Sequence, residues 1–502
     1  MSTLSRRDLL KLAGLYSAGL ALGVNSLRTR ALQGKKPNII VLVTDAMSAL
    51  NLSLLGYPRH TTPNLERLAE RALIYHSHYA GGNFTTPGTA SLLTGTYPWT
   101  HRAINLGAVV KRSLVKQSIF ALLGPEYYRA AFTQNLLSGS FLRQFSDDIE
   151  LRIPASSFAF DSRKLFMPEY LKNDPLLSSY AMNGFLLERG SASLGYLRLL
   201  YMYQQQNAGA STDRYPYGLP TNSVYYYDND VVYEGVRQVI AGVSREERPF
   251  FAYIHLMSPH DPYAPTKEFV DTLENVKFST KKIHPLNAHV RPPELLKKRK
   301  QYDEYIANID SEIGKLMDDL AQAGTLDNTY VFIVSDHGEL FERGVLGHTT
   351  PLIYEPVIRI PLLVFAPGQT TRTDIHASTS NVDILPTILS LTGHPIPEGV
   401  EGHVLPGLGG QEAKDRAIFS VEAKESSAFG PLYRASISMV VGAKKIIYYK
   451  GYKEYPDTFE LYDLQEDPDE NLDIFATDTV TAARMKEELL ANLNRADQPY
   501  VR

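Results

Sequence analysis

The 502-residue chain contains no cysteine. That excludes disulfides, thiolate metal ligands, a cysteine nucleophile and lipid attached to cysteine. Excess positive charge is also missing. Lys and Arg number 51 against 55 Asp and Glu, a formal net charge of -4, which argues against nucleic acid as the main partner. No apolar run reaches the about 20 residues that cross a bilayer, so no stable membrane span is expected in the mature chain. Internal repeats and low-complexity tracts are lacking too. What is there is 44% hydrophobic and 21% charged, enough for an ordinary core without staples. The length suits one large domain or two to three moderate ones.

The amino terminus addresses location. Met1 to Lys11 carries the pair Arg6-Arg7 and leads into the mainly apolar stretch Leu12 to Val24. A basic start, a short apolar run and a polar exit read as an export signal, and the paired arginines make residues 1–34 twin-arginine-like. Periplasmic or extracellular placement is therefore expected. An ordinary amphipathic first helix is the alternative.

Beyond Lys35-Lys36-Pro37, the continuous run Ile39-Ile40-Val41-Leu42-Val43 predicts a strand buried on both faces, hence a parallel sheet. Asp45 stands at its carboxyl end, where open α/β sheets bind ligands. Thr61-Thr62-Pro63-Asn64 predicts a capped helix start. Tyr330 to Val334 predicts a second buried strand, again followed by an acid, Asp336. Just before it, Ile306, Ile309, Ile313, Leu316 and Leu320 recur at helical spacing. Strand–helix alternation indicates α/β.

Residues from about 155 to 230 differ. They are tyrosine-rich (Tyr215, Tyr217, Tyr225, Tyr226, Tyr227) and read as an insertion, either covering a site or purely structural. After Pro395-Ile396-Pro397 the pattern changes to antiparallel strands around 436–441 and 445–449, with a closing helix from Ala483 to Leu493. The expected organisation is a catalytic α/β domain at 35–395 and a smaller α+β subdomain at 396–502.

Chemistry concentrates in four segments. An acid ending a buried strand costs free energy unless it is paired, coordinated or solvated. Asp45 and Asp336-His337 together suit a divalent cation, although each acid alone reads as a helix cap. In Phe84-Thr85-Thr86-Pro87-Gly88-Thr89-Ala90-Ser91, Thr85 is a hydroxyl that metal coordination would activate. Gly81-Gly82 and Pro87-Gly88 allow a sharp turn into a helix over Thr89 to Leu93, whose amino terminus favours an anion. His260, within Ser258-Pro259-His260-Asp261-Pro262-Tyr263, suits donation to ester oxygens. His348 suits the same task, and His101 less so; a structural role is the default for a lone histidine.

These segments, with Tyr57-Pro58, Tyr97-Pro98, Arg359-Ile360-Pro361-Leu362 and Glu460-Leu461-Tyr462-Asp463, resemble the sulfatase family of the alkaline-phosphatase superfamily. The resemblance implies a large domain built as a mixed or parallel-sheet sandwich, a smaller C-terminal α+β subdomain and one divalent metal ion (calcium, magnesium, manganese or zinc). By position, Asp45, Asp336 and His337 match metal ligands. Thr85 matches the nucleophile, which also contacts the metal. His260 and His101 match histidines of the family's site.

The departures matter as much. Sulfatases carry cysteine or serine at the Thr85 position, oxidised to formylglycine, and threonine cannot yield that aldehyde. Thr89 stands where arginine is expected and His348 where a lysine is expected; both are substrate-binding positions. Another expected lysine is replaced around Thr133-Gln134-Asn135. Two-zinc relatives use an aspartate with histidine four residues on, a pattern missing here. The expected activity is metal-dependent hydrolysis of a small anionic sulfate or phosphate ester through Thr85. The alternatives are a phosphodiesterase, a phosphoglycerol- or phosphoethanolamine-type transferase, and an inactive binding protein of the same fold. Nothing in the sequence indicates an oligomeric state.

Overall fold

The computed structural model describes residues 36–159, 213–278 and 281–501. The export segment expected at 1–34 and most of the insertion expected at 155–230 lie outside these residues.

Eight strands form the main sheet: β1 (Asn38–Thr44), β2 (Leu73–Tyr75), β3 (Tyr128–Thr133), β4 (Leu151–Ile153), β5 (Phe250–Leu256), β6 (Thr329–Ser335), β7 (Leu362–Phe365) and β8 (Thr373–Ile375). Their order is β8-β2-β7-β6-β1-β5-β3-β4. β1 pairs in parallel with both β5 and β6, as the all-apolar run predicts, and β7 runs antiparallel to both of its neighbours.

The two faces of β1 enter different cores. Ile40 and Leu42 pack with α1 (Pro63–Ala69), α4 (Asn229–Val243) and α5 (Pro292–Gln322). Ile39, Val41 and Val43 pack with α2 (Thr85–Thr94), α3 (Leu136–Gln144) and α6 (Ile384–Thr392). Alternation along a strand delivers successive side chains to opposite faces, so a sheet covered on both sides needs this unbroken hydrophobicity. The helical spacing from Ile306 to Leu320 falls within α5, and all five of those residues are buried.

A second sheet of four antiparallel strands, β9 (Ile418–Glu422), β10 (Ala435–Val441), β11 (Lys444–Lys450) and β12 (Thr458–Asp463), forms the C-terminal part with α7 (Thr479–Asp497). Its core reaches into the larger domain, taking in Tyr97, Trp99 and Val382. Among the described residues no helix is long and apolar enough to cross a membrane.

Two local expectations change. Thr62 precedes α1 but its side chain does not cap it. The Asp310 carboxylate of α5 takes that role, accepting from Asn64 N at 2.8 Å and Leu65 N at 2.8 Å. Thr62 Oγ1 is spent on Leu54 N instead. The helix expected from Thr89 begins at Thr85, with extended Phe84 before it. Gly88 N bonds back to Phe84 O at 3.1 Å, so Pro87 and Gly88 lie inside the first turn.

Candidate active site

Strand order assembles the site. β3, β5, β1 and β6 are adjacent and parallel, so their carboxyl ends share one edge. That edge carries Asn135, His255, Asp45 and Asp336. α2 packs over it and brings its first residue, Thr85, which is buried.

The distances define a compact polar centre. His255 Nε2 lies 3.2 Å from Asp45 Oδ2 and 3.7 Å from Asp336 Oδ2. His337 Nε2 lies 3.3 Å from Asp45 Oδ1 and 3.6 Å from Asp336 Oδ2. Thr85 Oγ1 is 3.5 Å from His337 Nε2. Asn135 Nδ2 donates to Asp45 Oδ2 and, at 3.1 Å, to Thr85 Oγ1. Its Oδ1 accepts from Leu137 N at 2.8 Å and Ser138 N at 3.3 Å, capping α3. That cap fixes which way the amide faces, because only the oxygen can accept.

The backbone around the acids is pinned. The Ser335 hydroxyl donates to Thr44 O at 2.6 Å and accepts from Met47 N at 2.9 Å. Ala46 adopts a left-handed φ of 63°, uncommon for a residue with a side chain. Tyr302 Oη donates to Ala46 O at 2.6 Å and holds that turn. Asp336 Oδ1 accepts from His337 N at 3.0 Å.

Burial pushes the Asp45 carboxyl up, but the His255 and His337 imidazoles outweigh it and hold it well below the usual carboxylate range. Burial likewise opposes charge on His337, yet Asp336 and Asp45 raise it to about 9. Even so, Asp45 Oδ1 and Asp336 Oδ2 are buried without a hydrogen-bond partner. Ligand atoms of Asp45, His255 and Asp336 lie within 4.8 Å of one another. Orphaned carboxylate oxygens facing imidazole nitrogens are a donor set for a divalent cation, so these residues fit one.

Above this centre opens a cavity of about 560 Å³, lined by Thr85, Asn135, His260, His348, Lys298 and the apolar Phe84, Leu136, Leu137, Met257 and Leu346 among others. The His260 ring is 4.8 Å from that of His348 and 6.4 Å from that of His337. His348 Nδ1 meets Glu339 Oε1 at 3.0 Å. Burial, with His337 and His260 beside it, holds His348 well below the ordinary range, so the ring is neutral. Asn83 Nδ2 donates to His348 O and Thr350 O, both at 2.7 Å, tying the Thr85 turn to this wall.

The structure thus brings together Asp45, Thr85, Asp336, His337, His260 and His348. Thr89 and His101 do not line the cavity. Thr89 is buried one turn further along α2. His101 sits behind that helix, its Nε2 3.2 Å from Ser91 Oγ while its Nδ1 accepts from Ala103 N at 3.0 Å. Burial lowers His101 to about 3, so it stays neutral there. Sequence reasoning passed over His255 and Lys298, and named Asn135 only within the stretch where an expected lysine is replaced. His255 did leave a signal: a polar residue near the carboxyl end of an apolar run, as with Asp45 and Asp336. Of the expected insertion, Asn222 and Ser223 reach the cavity wall.

Residues 37–394 match the Sulfatase family model, and residues 348–498 match the model for the C-terminal region of N-sulphoglucosamine sulphohydrolase. The chain is 23% identical over 466 residues to choline-sulfatase of Rhizobium meliloti, covering 86% of this chain and 81% of that one. It is 23% identical over 370 residues to human arylsulfatase A, covering 72% of this chain and 65% of that one. The crystal structure of phosphonate monoester hydrolase from Agrobacterium radiobacter has the same fold, with a TM-score of 0.65 at 20% identity over 92% of this chain and 96% of that one. The chain belongs to the sulfatase family.

Proposed function

We propose that this is an exported, metal-dependent hydrolase of sulfate or phosphate esters in which Thr85 is the nucleophile. The observation that carries the reading is the place of Thr85 Oγ1. It lies at the cavity floor, 3.1 Å from Asn135 Nδ2 and 3.5 Å from His337 Nε2, beside two orphaned carboxylate oxygens.

Asp45, Asp336 and His337 would hold the cation. When bound, it supplies positive charge that activates the Thr85 hydroxyl and neutralises the ester oxygens. Thr85 Oγ bonds to sulfur or phosphorus as the bond to the leaving oxygen breaks, and the Thr85 proton ends on that oxygen, which departs as the alcohol. Asn135 Nδ2 keeps Oγ aimed throughout. His260 and His348 stand where the transferred group and leaving oxygen would lie, suited to hydrogen-bond them. Water then cleaves the Thr85 ester and restores the hydroxyl. The apolar cavity wall suits the organic part of the ester. The name of choline-sulfatase supports sulfate among the substrates.

The test is turnover of matched aryl sulfate, aryl phosphate and aryl phosphodiester by wild type and Thr85→Ala. Loss of turnover by about a thousandfold or more in a folded variant supports the assignment, in keeping with removal of a nucleophile. Unchanged turnover refutes it. Export is tested separately: Arg6→Lys with Arg7→Lys should leave the chain in the cytoplasm.

A further inference from the structure

We propose that His255 is a fourth protein ligand of the metal, and that the resulting pair of imidazoles and pair of carboxylates selects zinc over calcium, magnesium or manganese. This rests on the metal-dependent reading above.

The position of His255 follows from strand register. β5 lies between β1 and β3, and His255 pairs with Val43 on one side and Thr133 on the other. Alternation turns it to the same face as Phe251 and Tyr253, the face covered by α2 and α3. Its side chain is fully buried. It does not line the cavity, so substrate contact does not explain it.

The ring is held from behind. Nδ1 lies 3.0 Å from both Tyr253 Oη and Ser138 Oγ, leaving Nε2 turned to the acids. His337 is arranged in the same way: Nδ1 donates to Gly338 O at 2.9 Å, so its Nε2 also faces the acids. Metal-bound histidines commonly have their second ring nitrogen tied to a polar group in this manner.

Both imidazoles face the same Asp336 oxygen, His255 Nε2 at 3.7 Å and His337 Nε2 at 3.6 Å from Oδ2, while Asp45 meets His255 through Oδ2 at 3.2 Å and His337 through Oδ1 at 3.3 Å. Donor chemistry decides the choice of ion. Calcium takes 6–8 oxygen ligands and magnesium a nearly octahedral oxygen shell, whereas imidazole favours later transition cations, with zinc above manganese in affinity. The residue after Asp45 is Ala46, which adds no side-chain oxygen.

The experiment uses the full chain, stripped with a chelator and dialysed against equal concentrations of Mg²⁺, Ca²⁺, Mn²⁺ and Zn²⁺. Bound metal is then counted by mass spectrometry. One equivalent of zinc is expected. His255→Asn should lose zinc affinity at least tenfold while the metal-free variant melts within a few degrees of the metal-free wild type. Should that variant not fold, X-ray absorption on zinc-loaded wild type counts imidazoles directly, and two are expected. Preference for another cation, unchanged zinc affinity in a folded His255→Asn, or a single imidazole overturns the inference but spares the metal-dependent reading. No binding of any cation by wild type overturns both.

Discussion

Gly88 presses against the backbone of Asp336: a β-carbon at position 88 would lie 2.2 Å from the Asp336 carbonyl oxygen. This contact seats the first turn of α2 on the end of β6 and sets the height of Thr85 above the acids. Gly88→Ala must push the two elements apart. Overpacking of this kind costs about 1–3 kcal/mol, and misplacing a reacting group by about 1 Å costs roughly a hundredfold in rate. Chemical unfolding and kcat on an aryl ester should show both losses together. Wild-type kcat in this variant would contradict the seating.

Asn135 does two tasks with one side chain, capping α3 with Oδ1 and aiming Thr85 with Nδ2. The tasks separate by substitution. Asn135→Ser keeps a capping oxygen but cannot reach Thr85, so stability should hold while kcat falls about tenfold or more. Asn135→Ala should lose the same rate and in addition about 1 kcal/mol of stability from the cap. Equal stability in both variants would show that the cap contributes little.

Lys298 is the one lysine or arginine among the described residues lining the cavity. Its Nζ is 3.9 Å from Asp261 Oδ1 and 5.6 Å from the centre of the Tyr263 ring, and the side chain is 34% exposed. A half-exposed charge of this kind attracts an anionic substrate without entering the chemistry. Lys298→Ala should raise KM about two- to fivefold with kcat nearly unchanged, and the effect should shrink at high salt. A fall in kcat alone would place Lys298 in the reaction instead.

Lys445 joins the two parts of the chain through two buried acids. Its Nζ is 3.1 Å from Glu355 Oε1 and 2.7 Å from Glu470 Oε1. One ammonium cannot neutralise two carboxylates. Burial pushes Glu470 up to about 7, with Lys445 offsetting only part of that and Glu355 adding to it. The folded chain therefore keeps a proton on Glu470 that the unfolded chain releases near the ordinary value of 4.5. Stability from this proton is fully present below that value and is lost as pH rises through about 7. Wild type should melt progressively lower, relative to Glu470→Gln, between those two pH values. Parallel melting curves across the interval would contradict the assignment.

Legibility in the sequence tracked how local each signal was. The runs ending at Asp45 and Asp336 announced buried strands, because a strand covered on both faces must be apolar throughout. Thr85 was legible from its turn residues, but its helix was expected to begin four positions later. The first-turn bond from Gly88 to Phe84 shows why: Pro and Gly are tolerated there, where proline's missing N–H costs nothing. Thr62 looked like a cap by residue type, yet the capping carboxylate is Asp310, far along the chain. His101 and Thr89 lie on the motif-bearing stretch, but helical rotation and the turn after α2 carry them out of the cavity.

By itself the sequence determined the α/β alternation, the absence of thiol chemistry, the two strand-end acids and the threonine at the Gly- and Pro-bounded turn. Each depends on the residue and its immediate neighbours. Tertiary structure alone decided that β5 lies between β1 and β3, and so that His255 and Asn135 meet Asp45. It also decided that α2 rests on Asp336 and that Lys298 of a distant helix overlooks the cavity. The physical reason is that strand order and helix docking are set by the packing of two whole cores, and no local pattern of residues encodes which edges will adjoin.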